Sequence, residues 1–214
     1  ISNVGGDVPA TLGTASVTTE IAASDSVSVS ISGDATTTEG GTASYSVAVS
    51  GPVQSGDTVT VDIALTDVDT TSSDYAAFLT AVGAAATATA GWTLSGSELT
   101  YTGTGLAPVD LDIDLGITND TLAENAEDYS VVISNVGGDV PATLDTASVT
   151  TDISASESVS VSISGDATTT EGGTAGYSVA VSGPVQSGAT VTVDIALTDV
   201  ETSSSALGAL LKAV

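Results

Sequence analysis

The sequence predicts an all-β fold arranged as tandem antiparallel β-sandwich repeats, and three observations carry that expectation. The stretch Ile1–Thr70 returns as Ile133–Thr202, 132 residues further on, changed only at Gly13/Asp145, Glu20/Asp152, Ala22/Ser154, Asp25/Glu157, Ser44/Gly176, Asp57/Ala189 and Asp69/Glu201. A period this long marks tandem domains, each large enough to own a core. Short runs alternate Val, Ile or Leu with Ser, Thr or Asp, which is the two-residue period of a half-buried strand. Gly, Pro, Asp and Ser turns separate those runs into roughly seven or eight short strands per period, the spacing of two sheets packed face to face. A β-helix would need an inner period of roughly 20–30 residues, and the chain has none.

Taken in order, residues 1–13 read as a strand end and a loop, with Gly5, Gly6, Pro9 and Gly13. Ala15–Ile21 reads as a strand and Ala22–Ser26 as a short polar joint. Val27–Ile31 alternates as a half-buried strand. Ser32–Gly41 is a turn carrying Asp34 and Glu39. Ala43–Ser50 is a strand with Tyr45, Val47 and Val49 on one face, and Gly51–Gly56 turns around Pro52. Thr58–Leu65 sends Val59, Val61, Ile63 and Leu65 inward and Asp62 outward. Thr66–Tyr75 is a loop holding Asp67, Asp69 and Asp74. Ala76–Ala90 has the composition of a short helix or an irregular crossover. Trp92–Tyr101 reads as one or two strands broken at Gly96. Val109–Leu115 places Val109, Leu111, Ile113 and Leu115 inward and Asp110, Asp112 and Asp114 outward. Ile117–Asp128 is an acidic loop, and Tyr129–Ile133 starts the strand that leads into the second copy. Residues 1–26 thus read as the closing strands of one repeat, 27–158 as a complete repeat and 159–214 as the opening strands of another.

Composition narrows the function. Against 27 acids stands one basic residue, Lys212, with no His, Cys or Met, for a net charge of −26. Such a surface repels nucleic acid and anionic lipid, and its acids must stay solvated or bind cations. Disorder is not expected, because 41% of the residues are hydrophobic. The lack of cysteine rules out disulfide staples and suits a large bacterial surface protein. No apolar run is long enough to span a membrane. Catalysis finds no support: no serine has a candidate base beside it, and Lys212 sits in the tail. Gly5-Gly6 and Gly40-Gly41 lack the Lys of a phosphate-cradling loop.

One ordered set of motifs points further. Thr38-Glu39-Gly40-Gly41-Thr42-Ala43 leads into Tyr45-Ser46-Val47-Ala48-Val49. Ser73-Asp74-Tyr75 follows, then Asn119-Asp120-Thr121-Leu122-Ala123-Glu124-Asn125-Ala126-Glu127-Asp128-Tyr129, and a closing strand at Val149–Ile153. Together these resemble a Calx-β domain over about Val27 to Glu157. The resemblance implies an immunoglobulin-like sandwich of about seven strands, a module found in sodium–calcium exchangers and in tandem in large bacterial surface proteins. In calcium-binding members, acids from several loops gather at one end. Carried over by motif, those positions are Glu39, Asp74, Asp120 and Glu124. Asn119 adds an amide oxygen and Glu157 a carboxylate from the joint. Strong binders carry Asp where this chain has Asn119 and Thr121, and Ser154-Ala155-Ser156-Glu157 replaces a denser acidic cluster. The resemblance therefore implies weak calcium binding, at about 10⁻⁴ M, as in extracellular modules. The second copy keeps Glu171 but has Ala206 where the first has Asp74.

The other acids, Asp110, Asp112, Asp114, Glu127 and Asp128, read as solvated. Asn119-Asp120-Thr121 also fits a glycosylation acceptor pattern. Tyr45, Tyr101, Tyr129, Phe78 and Trp92 read as core or sheet-face residues, with Trp92 also a candidate platform for stacking a sugar. Residues 1–21 and 159–214 each lack the rest of a unit. The chain is expected to be a window on a longer polymer, or else a subunit whose neighbouring copies complete each other head to tail by strand donation. The expected role is a non-enzymatic, calcium-stabilised module of a giant bacterial surface protein or extracellular filament, for adhesion or scaffolding. A metal-independent spacer and a carbohydrate-binding sandwich are the alternatives.

Overall fold

The structure is a computed structural model and describes residues 2–21 and 25–198. Two sheets close on each other between Val27 and Ser154. In chain order the elements are β1 (Val27–Gly33), β2 (Thr36–Thr38), β3 (Thr42–Val49), β4 (Thr58–Asp67), α1 (Phe78–Ala88), β5 (Trp92–Ser95), β6 (Glu98–Thr102), β7 (Leu111–Gly116), β8 (Glu127–Gly138), β9 (Ala142–Leu144) and β10 (Ser148–Ser154). One sheet has the order β7-β3-β1-β9, the other β2-β10-β8-β4-β6-β5.

Alternation builds the core. Val29 and Ile31 of β1, Tyr45 and Val47 of β3, and Leu111, Ile113 and Leu115 of β7 are buried from one sheet. Val59, Val61 and Ile63 of β4, Leu99 and Tyr101 of β6, and Tyr129, Val131 and Ile133 of β8 meet them from the other. Each aliphatic side chain taken out of water this way contributes about 1.5–3 kcal/mol. At the centre, the Tyr45 hydroxyl lies 2.7 Å from the Tyr129 hydroxyl and 2.6 Å from Thr151 Oγ1, which donates to the Asp34 carbonyl. These buried polar atoms satisfy one another across the sheets.

Several expectations change. The pairing is not wholly antiparallel: β9 runs parallel to β1, and β2 parallel to β10. The unit has ten strands rather than seven or eight. Both differences trace to β2 and β9. These are three-residue strands in which the chain swaps sheets for a moment, too short to show a period. Val109 does not face inward but is exposed ahead of β7, and its carbonyl accepts the Trp92 indole N–H at 2.7 Å. Pro108 keeps the backbone there out of the ladder. Within Ala76–Ala90 the helix α1 forms, with Phe78, Val82 and Ala86 buried along one face, and Trp92–Tyr101 is a hairpin of two strands around Gly96.

The flanking segments differ most from expectation. Residues 15–21 form no strand, and residues 2–21 are exposed throughout. The repeat of this stretch at 147–153, changed only at Glu20/Asp152, does form β10, because β8 and β2 lie on either side of it there. Beyond the sandwich, β11 (Val161–Gly165) and β12 (Tyr177–Val181) pair in the register of β1 with β3, Val161 opposite Val181 as Val29 is opposite Val49. Residues 190–197, the copy of β4, form no strand. β4 itself is held between β8 and β6, and strand preference is decided by such neighbours. Ala206 and Lys212 lie outside the described residues. Among the described residues no helix is long and apolar enough to cross a membrane.

Candidate metal centre

Five chain segments meet at one end of the sandwich. β2 ends at Thr38, β4 ends at Asp67, β7 ends at Gly116, β8 starts at Glu127 and β10 ends at Ser154. The loops leaving these ends carry the acids. Gly40 has a left-handed backbone (φ 71°), and a Cβ there would come 3.2 Å from Asn119 Cβ. A Cβ on Gly41 would sit 2.8 Å from the Thr38 carbonyl oxygen. The two glycines thus let the Glu39 loop fold tightly against the loop after β7. Two backbone bonds lock it there: Ile117 N–H to the Gly41 carbonyl at 3.0 Å, and Glu39 N–H to the Ser154 carbonyl at 3.2 Å. The Asp74 loop is tied in by the Thr118 N–H donating to the Asp74 carbonyl at 2.8 Å. The Asp74 carboxylate accepts from its own turn, at Thr71 N–H and Thr71 Oγ1.

Carboxylate oxygens of Glu39, Asp120 and Glu157 lie within 4.8 Å of one another. Glu39, Asp74, Asp120, Glu124 and Glu127 line a cleft of about 120 Å³, with Ser73, Thr118 and Ile153 completing its wall. The four acids placed by motif therefore share one cleft, and Glu157 reaches it from the joint between units. Ser156, also in that joint, donates its N–H to Glu39 Oε2 at 2.8 Å. Its hydroxyl lies 3.0 Å from Glu39 Oε2 and 2.7 Å from Glu157 Oε2. The Asn119 amide nitrogen donates to Ser156 Oγ at 2.8 Å, so Asn119 braces the joint.

Glu127 was expected in solvent. It is instead half-buried in the cleft wall, where the Gln186 amide of the following unit donates to its Oε1 at 2.8 Å. Ala123 and the turn Pro184–Gln186 bond through their backbones, Ala123 N–H to the Pro184 carbonyl at 3.0 Å and Gln186 N–H to the Ala123 carbonyl at 3.1 Å. The only hint in the sequence is that Glu127 starts the aromatic-led strand. Asp112 and Asp114 accept from the cross-strand hydroxyls of Ser46 and Ser44, at 2.7 and 2.8 Å, away from this cleft.

The crowding of negative charge and partial burial shift the acids of the cleft in different directions. Burial, a hydrogen bond to Glu39 and the charges of Glu127, Glu39 and Asp120 push Glu124 up to about 8. Burial pushes Glu39 up as well, but hydrogen bonds from Glu124, the Ser156 N–H, Glu157 and the Ser156 hydroxyl prevail, and it sits below its ordinary value. Burial also raises Glu127, the Gln186 amide opposing, with Asp74 and Asp69 adding to the rise. The cleft thus favours the protonated form of Glu124 and the ionised form of Glu39. Among the described residues no Lys, Arg or His is present to neutralise the group.

These residues fit a hard divalent cation. All the donors are oxygens, the ligand set of Ca²⁺ and Mg²⁺ rather than of thiolate- or imidazole-seeking metals. Oxygens on opposite sides of a calcium ion, bound at about 2.3–2.6 Å, stand about 4.6–5.2 Å apart. Carboxylate oxygens within 4.8 Å of one another can share the sphere of one such cation. Trp92 offers no sugar platform: it is buried, its N–H is engaged, and its ring packs on Tyr101 at 5.3 Å. Compared with protein-family models and with curated proteins, the chain matches none.

Proposed function

We propose that the chain is a non-enzymatic structural module of an extracellular bacterial scaffold, a Calx-β-like sandwich whose joints are stiffened by calcium. One observation carries the reading. The Glu39, Asp120 and Glu157 carboxylates converge where the complete unit meets its neighbour, with no basic side chain among the described residues to quiet them. Glu39 and Asp120 belong to the sandwich and Glu157 to the linker, so an ion held by all three ties the linker down. The ion competes with the proton that the cleft favours on Glu124 and lessens the repulsion among the acids. Three first-line carboxylates, without the denser acids of strong sites, suit a Kd of about 10⁻⁴–10⁻³ M. Such a site fills at extracellular calcium levels. The motif order from Glu39 to Ile153 and the two facing sheets support the immunoglobulin-like, Calx-β-like assignment.

The test is isothermal titration of the chelated protein with CaCl₂ and MgCl₂ at fixed ionic strength. The expected result is saturable calcium binding accompanied by proton release, tenfold or more weaker for magnesium (about 1.4 kcal/mol or more). Binding that does not saturate, or that calcium and magnesium share equally, contradicts the proposal and leaves a metal-independent spacer.

A further inference from the structure

We propose, resting on the calcium reading of the cleft, that the turn at residues 184–186 of the following unit completes the cation site of the unit before it, so that docking of one repeat and cation binding by its neighbour strengthen each other. Three contacts carry the proposal, all on the loop between β7 and β8 that bears Asp120 and Glu124 and ends at Glu127. Ala123 pairs with Val185 as in a parallel ladder. Its N–H donates to the Pro184 carbonyl at 3.0 Å, and its carbonyl accepts the Gln186 N–H at 3.1 Å. The Gln186 side-chain amide goes on to Glu127 Oε1 at 2.8 Å. Ala123 stands beside Glu124, and Asp120 is held just upstream, its Oδ1 accepting the Leu122 N–H at 2.6 Å. The turn therefore grips the loop between its acids.

The turn is preformed. Residues 51–56 and 183–188 both read Gly-Pro-Val-Gln-Ser-Gly. Gly51 and Gly183 have φ of 77° and 78°, Gly56 and Gly188 of 94° and 95°. The Gln54 carbonyl accepts the Asp57 N–H at 3.1 Å, and the Gln186 carbonyl the Ala189 N–H at 3.0 Å. An element already in its docked shape loses little entropy on docking. Docking also leaves alone the packing of the unit that owns the turn. In the complete unit Val53 is buried, and its carbonyl accepts the Gly105 N–H at 2.9 Å. Neighbouring residues of an extended segment aim their backbone groups to opposite sides, so the groups that Pro184 and Gln186 give to Ala123 lie away from that inner bond. The acid loop is different, with no named strand or helix between Gly116 and Glu127. Ordering it so that it presents Asp120 and Glu124 costs conformational entropy, and the docked turn supplies part of that order before a cation arrives. By linkage, a cation held there strengthens docking by the same factor.

Calcium titration of the full chain tests the coupling. Gln186 is a positioning residue, which acts through Glu127 and the Ala123 backbone. Q186A is expected to weaken calcium binding about fivefold or more. A chain carrying Q186A together with A123C and V185C separates docking from any direct effect of the amide, because the chain has no cysteine of its own. Oxidised with glutathione disulfide, this chain is expected to link within itself, hold the turn on the loop and recover most of the lost affinity. Reduced, it is expected to bind as weakly as Q186A. The coupling is overturned by equal Kd values for Q186A and the parent, by a Kd that oxidation leaves unchanged, or by cysteines that do not link within one chain. No saturable calcium binding by the parent overturns the calcium reading and the coupling with it, a result distinct from the other three.

Discussion

Glu124 is the residue on which the electrostatics of the cleft turn. Its folded value of about 8 lies above the ordinary 4.5, so the fold favours its protonated form. The stability this provides is fully present below about pH 4.5 and is lost as pH rises through about 8. The ion-free protein is therefore expected to lose stability to denaturant between about pH 5 and about pH 8, and E124Q, which stays neutral, to flatten that slope. Glu39, held below its ordinary value, acts in the opposite sense at lower pH. Denaturant melts in chelator at several pH values check both signs. A second residue-scale prediction concerns the core. Y45F removes the hydroxyl that joins Tyr129 to Thr151 and leaves buried polar atoms short of a partner. It is expected to cost about 1–3 kcal/mol by chemical denaturation, with the fold retained.

At the scale of elements, the long strands were legible and the short ones were not. β1, β3, β4 and β7 announce themselves because Val29, Tyr45, Val61 and Ile113 recur every second residue toward one core. β2 and β9 give no such signal, since three residues cannot display a period. Ala15–Ile21 shows the opposite failure: its alternation is genuine, yet strand structure needs neighbours that it has only in the second copy. Of the cleft, the motif residues were legible because glycines and acids mark the loops, whereas Glu127 was not. Its role depends on Gln186, 59 residues away, which no local pattern reports. I63A in β4 is expected to cost about 2–5 kcal/mol by cavity formation, read from the same denaturant melts. Q186A frees Glu127 and loosens the joint. Hydrogen exchange is expected to show lost protection at Ala123 and Gln186, with β4 and β8 unchanged.

For the whole molecule the dominant fact is a charge of −26 with one basic residue. Any salt relieves part of that repulsion, so a rise in melting temperature with ionic strength is expected and is not evidence of a site. What separates a site from screening is dependence on particular carboxylates. Ligand that binds only the folded state stabilises it as RT ln(1 + [L]/Kd), so melting temperature climbs steadily with the logarithm of free calcium once the site begins to fill. The most direct test compares melting temperature against free calcium, at constant ionic strength, for the parent chain and for the double variant E39Q/D120N. Calcium bound by converging carboxylates predicts a logarithmic rise in the parent and a flat line in the variant. Parallel curves for the two proteins, rising or flat, would contradict it.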